Sequence, residues 1–309
     1  MRSAKAVVIS KFASDLLRVP GTAEVHSVFD RTFNILVRDE LVGVVRGDIS
    51  PSHIDLVTDI SPSETMGALG VKSGMKVQVA AGWVVVGGVL SISLKEAKLW
   101  QPPTSVENPL ALELVEQNLE KAKKVAIGWA GTEGISQLLK HLDEVIEGGV
   151  ISADLNAISK TALPHISKMV ESTRKGDISG VKTSAKGIIG LGPGLTPSGD
   201  DFLSGFVSAL WWFSRSFGKG IVVADEINAS IFYEAKKTNL LSRQLLQHAV
   251  HGEVNERVGK LLLAILSGAQ SEIGPLVEQV AKIGETSGVD MMVGLLLGAR
   301  VGLHFKKYL

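Results

Sequence analysis

Two serine–aspartate segments carry most of the chemistry available to this chain. Residues 198–205 read Ser-Gly-Asp-Asp-Phe-Leu-Ser-Gly and residues 287–294 read Ser-Gly-Val-Asp-Met-Met-Val-Gly, so both follow Ser-Gly-x-Asp-x-x-x-Gly. A threonine precedes each copy, Thr196 and Thr286, and Gly190-Leu191-Gly192-Pro193-Gly194-Leu195 leads into the first. Glycine adopts backbone angles closed to other residues and lets a second molecule approach the main chain. A glycine-rich loop feeding a helix start aims several free N–H groups at one point, a common way of holding phosphate or carboxylate. Gly192, Gly194, Thr196, Ser198 and Gly199 are therefore candidate ligand-binding residues, with Thr286, Ser287 and Gly288 as their counterparts. Each serine is placed as an N-cap with its aspartate at N3, and the last glycine lies two turns along the same face. Capping alone accounts for Ser-x-x-Asp, but not for the glycine loop or for two adjacent acids.

A bound anion calls for a counter-charge. Thr238, Ser242 and Arg243 bring two hydroxyls and a guanidinium to one predicted helix start, which makes Arg243 the expected partner, with Lys186 in reserve. An ordinary surface ion pair is the plain alternative for Arg243. The loop lacks the lysine ending of a P-loop and the preceding strand of a dinucleotide fingerprint. Asp200, Asp201 and Asp290 are the candidate catalytic carboxylates. As hard oxygen donors on helix starts they would also suit Mg²⁺, although no cofactor is required by the sequence. His248 and His251, followed by Glu253, have a zinc-compatible spacing but no evident third ligand. No Gly-x-Ser-x-Gly elbow occurs, which argues against a serine hydrolase.

With 309 residues, 45% of them apolar, the chain has ample core and points to extensive burial or to contacts with other subunits, its own copies included. The formal net charge is +0 and no basic tail exists, so nucleic-acid binding is not expected. Cysteine is absent, which removes disulfides and thiol chemistry and fits a cytoplasmic setting. The apolar stretch 6–10 is too short for a signal-peptide core, and 202–213 and 291–297 are short for a membrane span. A soluble protein is expected.

The elements that position these residues divide into two expected domains, 1–104 and 105–309. In the first, β-branched runs at 6–10, 25–37, 41–46, 54–58, 76–86 and 89–94 alternate with turn signals, predicting a β-rich barrel or sandwich. Beyond the stiff Trp100-Gln101-Pro102-Pro103 the period changes to that of helices. Expected helices are 110–124 after an Asn108-Pro109 start, a segment from Thr132 to 147, and 153–174 capped by Ser152 and interrupted at Pro164. The series continues with 177–186, 198–217, 224–237, 240–251, 255–266, 273–283 and 287–305. The class is α+β: a β-rich N-terminal domain, then an all-α domain of eight to ten helices.

The first serine segment with its glycine loop, Thr238-x-x-x-Ser242 with Gly252, and Thr286-Ser287-Gly288-x-Asp290 with Gly294 and Gly298 together resemble the signature of the AllH-like family. The likeness spans essentially the whole chain. That family is typified by the H subunit of the oxamate carbamoyltransferase of anaerobic allantoin catabolism, a branch of purine degradation. Its assembly also holds an F subunit resembling acyl-CoA synthetases and a G subunit. The resemblance implies a role in or beside a carbamoyltransferase that converts oxalurate and phosphate to oxamate and carbamoyl phosphate, in a hetero-oligomer. The alternatives are a freestanding Mg²⁺-dependent hydrolase using the aspartates and a non-catalytic scaffold subunit.

Overall fold

The computed structural model describes residues 1–308. The chain divides into two compact units, Met1–Pro102 and Pro103–Leu309.

The first unit runs β1 (Arg2–Ser10), α1 (Lys11–Leu17), β2 (Gly21–Val28), β3 (Thr32–Val37), β4 (Glu40–Val45), β5 (Asp55–Thr58), β6 (Lys76–Ala80), β7 (Trp83–Val86), β8 (Leu90–Ser93) and β9 (Lys98–Trp100). Strand order β5-β4-β3-β2-β6-β7-β8-β1 is closed by pairing of β1 with β5, giving an eight-stranded barrel to which β9 adds along β1. Closure depends on the nine residues of β1. Arg2–Lys5 pair in parallel with β8, and from Ala6 onward the strand pairs antiparallel with β5 across a register shift. A bulge of that kind sharpens the local bend and lets one strand serve two neighbours. Side chains alternate across the wall, so Val25, Phe33, Ile35, Val44, Leu56 and Val84 fill the interior. Of the two architectures expected, the barrel is the one that forms.

Two expected runs each break into a hairpin: 25–37 turns at 29–31, and 76–86 turns where Gly82 takes φ +77°. One helix went unread. Ser10 Oγ accepts the Ala13 N–H at 3.1 Å, and α1 then buries Ala13 and Leu17, one turn apart on one face. Seven residues are too few to show a helical period among strand signals.

One acid lies inside this unit. Asp55 is 8% exposed, and its Oδ2 accepts the Ser52 N–H at 2.8 Å. Its Oδ1 fills the space where a side chain at position 43 would stand, which is why that strand residue is glycine. Burial pushes the Asp55 carboxyl up to about 6.

The second unit comprises α2 (Leu112–Ile127), a 3-10 turn (Ser136–His141), α3 (Leu142–Glu147), α4 (Ala157–Arg174), α5 (Ile178–Ile188), α6 (Ser198–Phe217), α7 (Ile221–Glu234), a 3-10 turn (Ala235–Lys237), α8 (Leu240–Ala249), α9 (Glu256–Ser267), α10 (Gln270–Ala281) and α11 (Ser287–Tyr308). Starts shift where tertiary bonds compete with local signals. The Leu110 N–H bonds the Leu266 carbonyl at 2.8 Å, which holds 108–111 out of the helix, and α2 begins at Leu112. Asn156, rather than Ser152, caps α4 by accepting the Ser159 N–H at 2.8 Å. Pro164 stays within an unbroken α4, whose buried face of Ala162, Ile166 and Met169 outweighs one lost backbone bond.

At the centre, α6 and α11 lie backbone to backbone. A Cβ on Gly205 would collide with the Met291 carbonyl, and one on Gly294 with the Phe202 carbonyl. Both colliding carbonyls belong to the residue four places after the motif serine, so the sequence repeat is a structural one, with each copy packed on the other. By length and composition α11 could cross a membrane, yet 83% of that stretch is buried inside the unit.

Candidate anion pocket

The two serine copies meet in space. Thr196 Oγ1 and Ser287 Oγ are 2.9 Å apart, and between the copies opens a cavity of about 740 Å³. Gly194, Leu195, Thr196 and Ser198 form one wall, and Glu285, Thr286 and Ser287 a second. A third comes from Thr132-Glu133-Gly134 and from Asn156-Ala157-Ile158 at the start of α4. Three helices, α4, α6 and α11, therefore begin at one cavity. The start of a helix carries its positive pole, but the Gly199 and Gly288 amides already bond the Leu191 and Ile283 carbonyls, the Ser159 amide bonds the Asn156 side chain, and Glu133 and Glu285 also line the cavity.

Behind the walls the carboxylates cross between helices. Asp290, on α11, has the Ser198 hydroxyl of α6 beside it, while Asp201, on α6, has the Ser287 hydroxyl of α11. The Asp290 Oδ1 also accepts the Ile135 N–H at 2.7 Å, which ties the third wall to the second motif. Neither serine acts as the expected cap. Pro197 is the N-cap of α6 and contributes no side-chain bond, which makes Ser198 the first helical residue and Asp200 the N3 residue. Ser198 is turned toward the opposite helix instead.

Asp200 braces the glycine loop. Its Oδ1 accepts the Gly190 N–H at 2.7 Å and its Oδ2 accepts the Thr238 hydroxyl. Ser242 Oγ donates to the Leu195 carbonyl at 3.3 Å, and Asn239 Nδ2 donates to the same oxygen at 2.8 Å. The Thr238–Ser242 segment thus holds the loop from behind rather than lining the cavity. Gly192 and Gly194 take φ +111° and +95°, angles that a side chain would strain. Gly199 and Gly288 do not reach the cavity; they let each helix start pack on the carbonyls of Ile188 and Val280.

Burial pushes the Asp200, Asp201 and Asp290 carboxyls up, Asp201 furthest, and the Asp290 charge adds to the push on Asp201. The expected basic partner is not brought in. Arg243 and Lys186 are exposed, and no lysine, arginine or histidine lines the cavity. Both Asp200 oxygens are engaged by N–H or hydroxyl donors and Asp290 Oδ1 by an amide, while Asp201 Oδ2 and Asp290 Oδ2 are buried without a hydrogen-bond partner. Among the described residues no three acidic or histidine groups are placed to share an ion. His248 bonds Glu253 at 2.6 Å, and His251 stands edge-on to Trp211. The sequence reading missed the third wall. Gly134, at φ +60°, and the Asn156 cap were its signals.

Thr238→Val should remove the hydroxyl from Asp200 while keeping its shape. We expect a loss of about 1–3 kcal/mol, because a buried carboxylate oxygen is left unpaired. An unchanged denaturant midpoint would show that the bond does not hold the loop.

Residues 188–299, which contain the glycine loop and both serine copies, match the family model described as oxamate carbamoyltransferase subunit AllH, and residues 3–99 match the AllH family N-terminal domain. The chain belongs to the AllH family. The two matches fall on the barrel and on the helices that carry the motifs, and the AllH third wall lies between them. No solved structure matches the chain.

Proposed function

We propose that this AllH-family chain is a subunit, or a relative of a subunit, of oxamate carbamoyltransferase, and that the serine cavity holds a small anionic reactant. The observation that carries this reading is the convergence of three helix starts and two serine hydroxyls on one cavity. Phosphate, oxamate and oxalurate are all small oxyanions. The positive poles of the three helices would favour such a group and oppose charge gained as the carbamoyl group passes from oxalurate nitrogen to phosphate oxygen. In the same reading Ser198, Ser287 and Thr196 touch the ligand. Asp201 and Asp290 orient the serines, and the Arg243 guanidinium stays outside. Acyl-CoA-synthetase-like and second transferase subunits would complete a cytoplasmic hetero-oligomer, and the cation that the cavity lacks would come from one of them.

Titration calorimetry with phosphate, oxamate and carbamoyl phosphate tests the proposal. Binding should weaken about tenfold or more in a Ser198→Ala/Ser287→Ala double variant, which strips Asp290 and Asp201 of their hydroxyl partners and leaves two carboxyls unanswered beside the guest. Undiminished affinity in a folded double variant would refute it. The metal-dependent hydrolase reading is not favoured, because among the described residues no three acidic or histidine groups are placed to share an ion.

A further inference from the structure

The two serine copies match in sequence but not in their supply of hydrogen-bond donors. Asp290 accepts the Ile135 N–H at 2.7 Å, has the Ser136 N–H close by, and also faces the Ser198 and Thr286 hydroxyls. Asp201 has no backbone N–H beside it; its partners are the Ser287 and Thr196 hydroxyls. A backbone N–H can only donate, so it needs an oxygen lone pair. A hydroxyl donates or accepts as its surroundings require. That difference decides which carboxyl can hold a proton.

On the Asp201 side, Thr196 Oγ1, Ser287 Oγ and the carboxyl neighbour one another in a ring, with 2.9 Å between the two hydroxyl oxygens. Three such contacts take three protons, and the two hydroxyls supply two. With Asp201 ionised, both hydroxyls turn to it and meet each other as oxygen against oxygen. A proton on Asp201 fills every contact. Ser287, on the cavity wall, can then turn its own proton to a guest while two contacts stay filled. Burial first, then the Asp290 and Asp200 charges, favour the neutral form of Asp201 against the pull of the two hydroxyls. Burial pushes Asp290 up as well, but its amide and hydroxyl donors hold the charge. Each carboxyl keeps a buried Oδ2 without a partner, and two such neighbours ionise one at a time. Ser198 therefore commits its proton to Asp290 and turns only lone pairs to the cavity. Glu133 and Glu285 are the other charges on the walls, and no lysine, arginine or histidine lines them.

We propose that Asp201 carries a proton and Asp290 a charge, so that Ser287 donates to a guest while Ser198 accepts from it, and that these opposite polarities set the specificity of the cavity. The inference rests on the reading that the cavity holds a small anionic reactant, and adds what such a guest must carry: an oxyanion for Ser287 and an N–H for Ser198. Asp201 and Asp290 are positioning residues, acting through the serines.

Oxamate and pyruvate test this, being alike in size and charge and differing by an NH₂ in place of a methyl group. Calorimetry on the full-length chain should show oxamate favoured about tenfold, the gain from a hydrogen bond to an otherwise unanswered acceptor. Asp290→Asn should erase the preference. Its Oδ1 keeps the Ile135 N–H, its Nδ2 donates to Ser198, and the serine proton then turns into the cavity against the NH₂. Oxamate binding should weaken as alkali removes the Asp201 proton. Asp201→Asn, whose amide donates without titrating, should carry binding into that range. Carbon-13 resonances of the aspartate carboxyls, followed against pH without ligand, give an independent reading: in neutral solution Asp201 should be uncharged and Asp290 charged. Equal affinity for the two guests, a preference that survives Asp290→Asn, or an ionised Asp201 in neutral solution would each overturn the proposal. If neither guest binds while Asp201 stays uncharged, the proposed function fails and the placement of proton and charge stands.

Discussion

Gly294→Val should abolish cooperative unfolding of the helical unit. The new side chain has no space, because a Cβ there would already collide with the Phe202 carbonyl and lie 2.9 Å from the Phe206 nitrogen. Neither atom is the free end of a side chain, so only a shift of the whole helix can relieve the contact. Gly205 makes the reciprocal contact with Met291 and Leu295, so parting the helices at one glycine parts them at the other. Overpacking commonly costs about 1–3 kcal/mol and more where backbone must move. A domain is stable by only about 5–15 kcal/mol. Asp201 and Asp290 would also lose the hydroxyls presented from the facing helix. Gly259→Ala on α9 is the control, since its nearest neighbour would be Val254 at 3.8 Å. Alanine there should match or raise stability, because glycine inside a helix is unfavourable by about 1 kcal/mol. A sharp thermal transition at the wild-type temperature in Gly294→Val would show that the helices do not rest on each other as described.

Asp55→Asn should stabilise the protein in alkaline buffer and do little in acid. The folded carboxyl titrates near 6, above its unfolded value of 3.8. Below pH 3.8 the group is protonated in both states and causes no loss. Between the two values the unfolded chain releases its proton more readily, so stability falls as pH rises, and above about 6 the loss is complete. A shift of this size corresponds to about 3 kcal/mol. The amide keeps an oxygen for the Ser52 N–H and carries no charge to desolvate. Chemical denaturation at pH 8 and pH 3.5 checks this prediction: the variant's advantage should appear only at the higher pH. An advantage equal at both would place the cause elsewhere.

The residues that mattered most were readable because their chemistry is local. Glycines with positive φ, serine and threonine hydroxyls, and aspartates at helix starts announce themselves by type and spacing. Partnership does not. The spacing Ser198 to Gly205 gave the face of a helix, but only the fold shows that this face meets the same face of α11. It also shows that Ser198 serves Asp290 rather than its own helix end. Arg243 was placed near the loop by sequence proximity to Thr238 and Ser242, yet one further residue along α8 turns it outward. The third wall depends on Asn156 and Gly134, single polar and glycine residues without a repeat to mark them. The barrel followed from alternation, but its closure depends on how β1 divides between β8 and β5. Such long-range pairing leaves no local trace.

Between α6 and α11 no compressible side-chain layer separates the main chains at the paired glycines. Rods in such bare contact behave like meshed gears, where rotation of one must drive the other. In the proposed role the cavity at their tips would therefore be a fixed mould, selecting guests by fit and closing little around them.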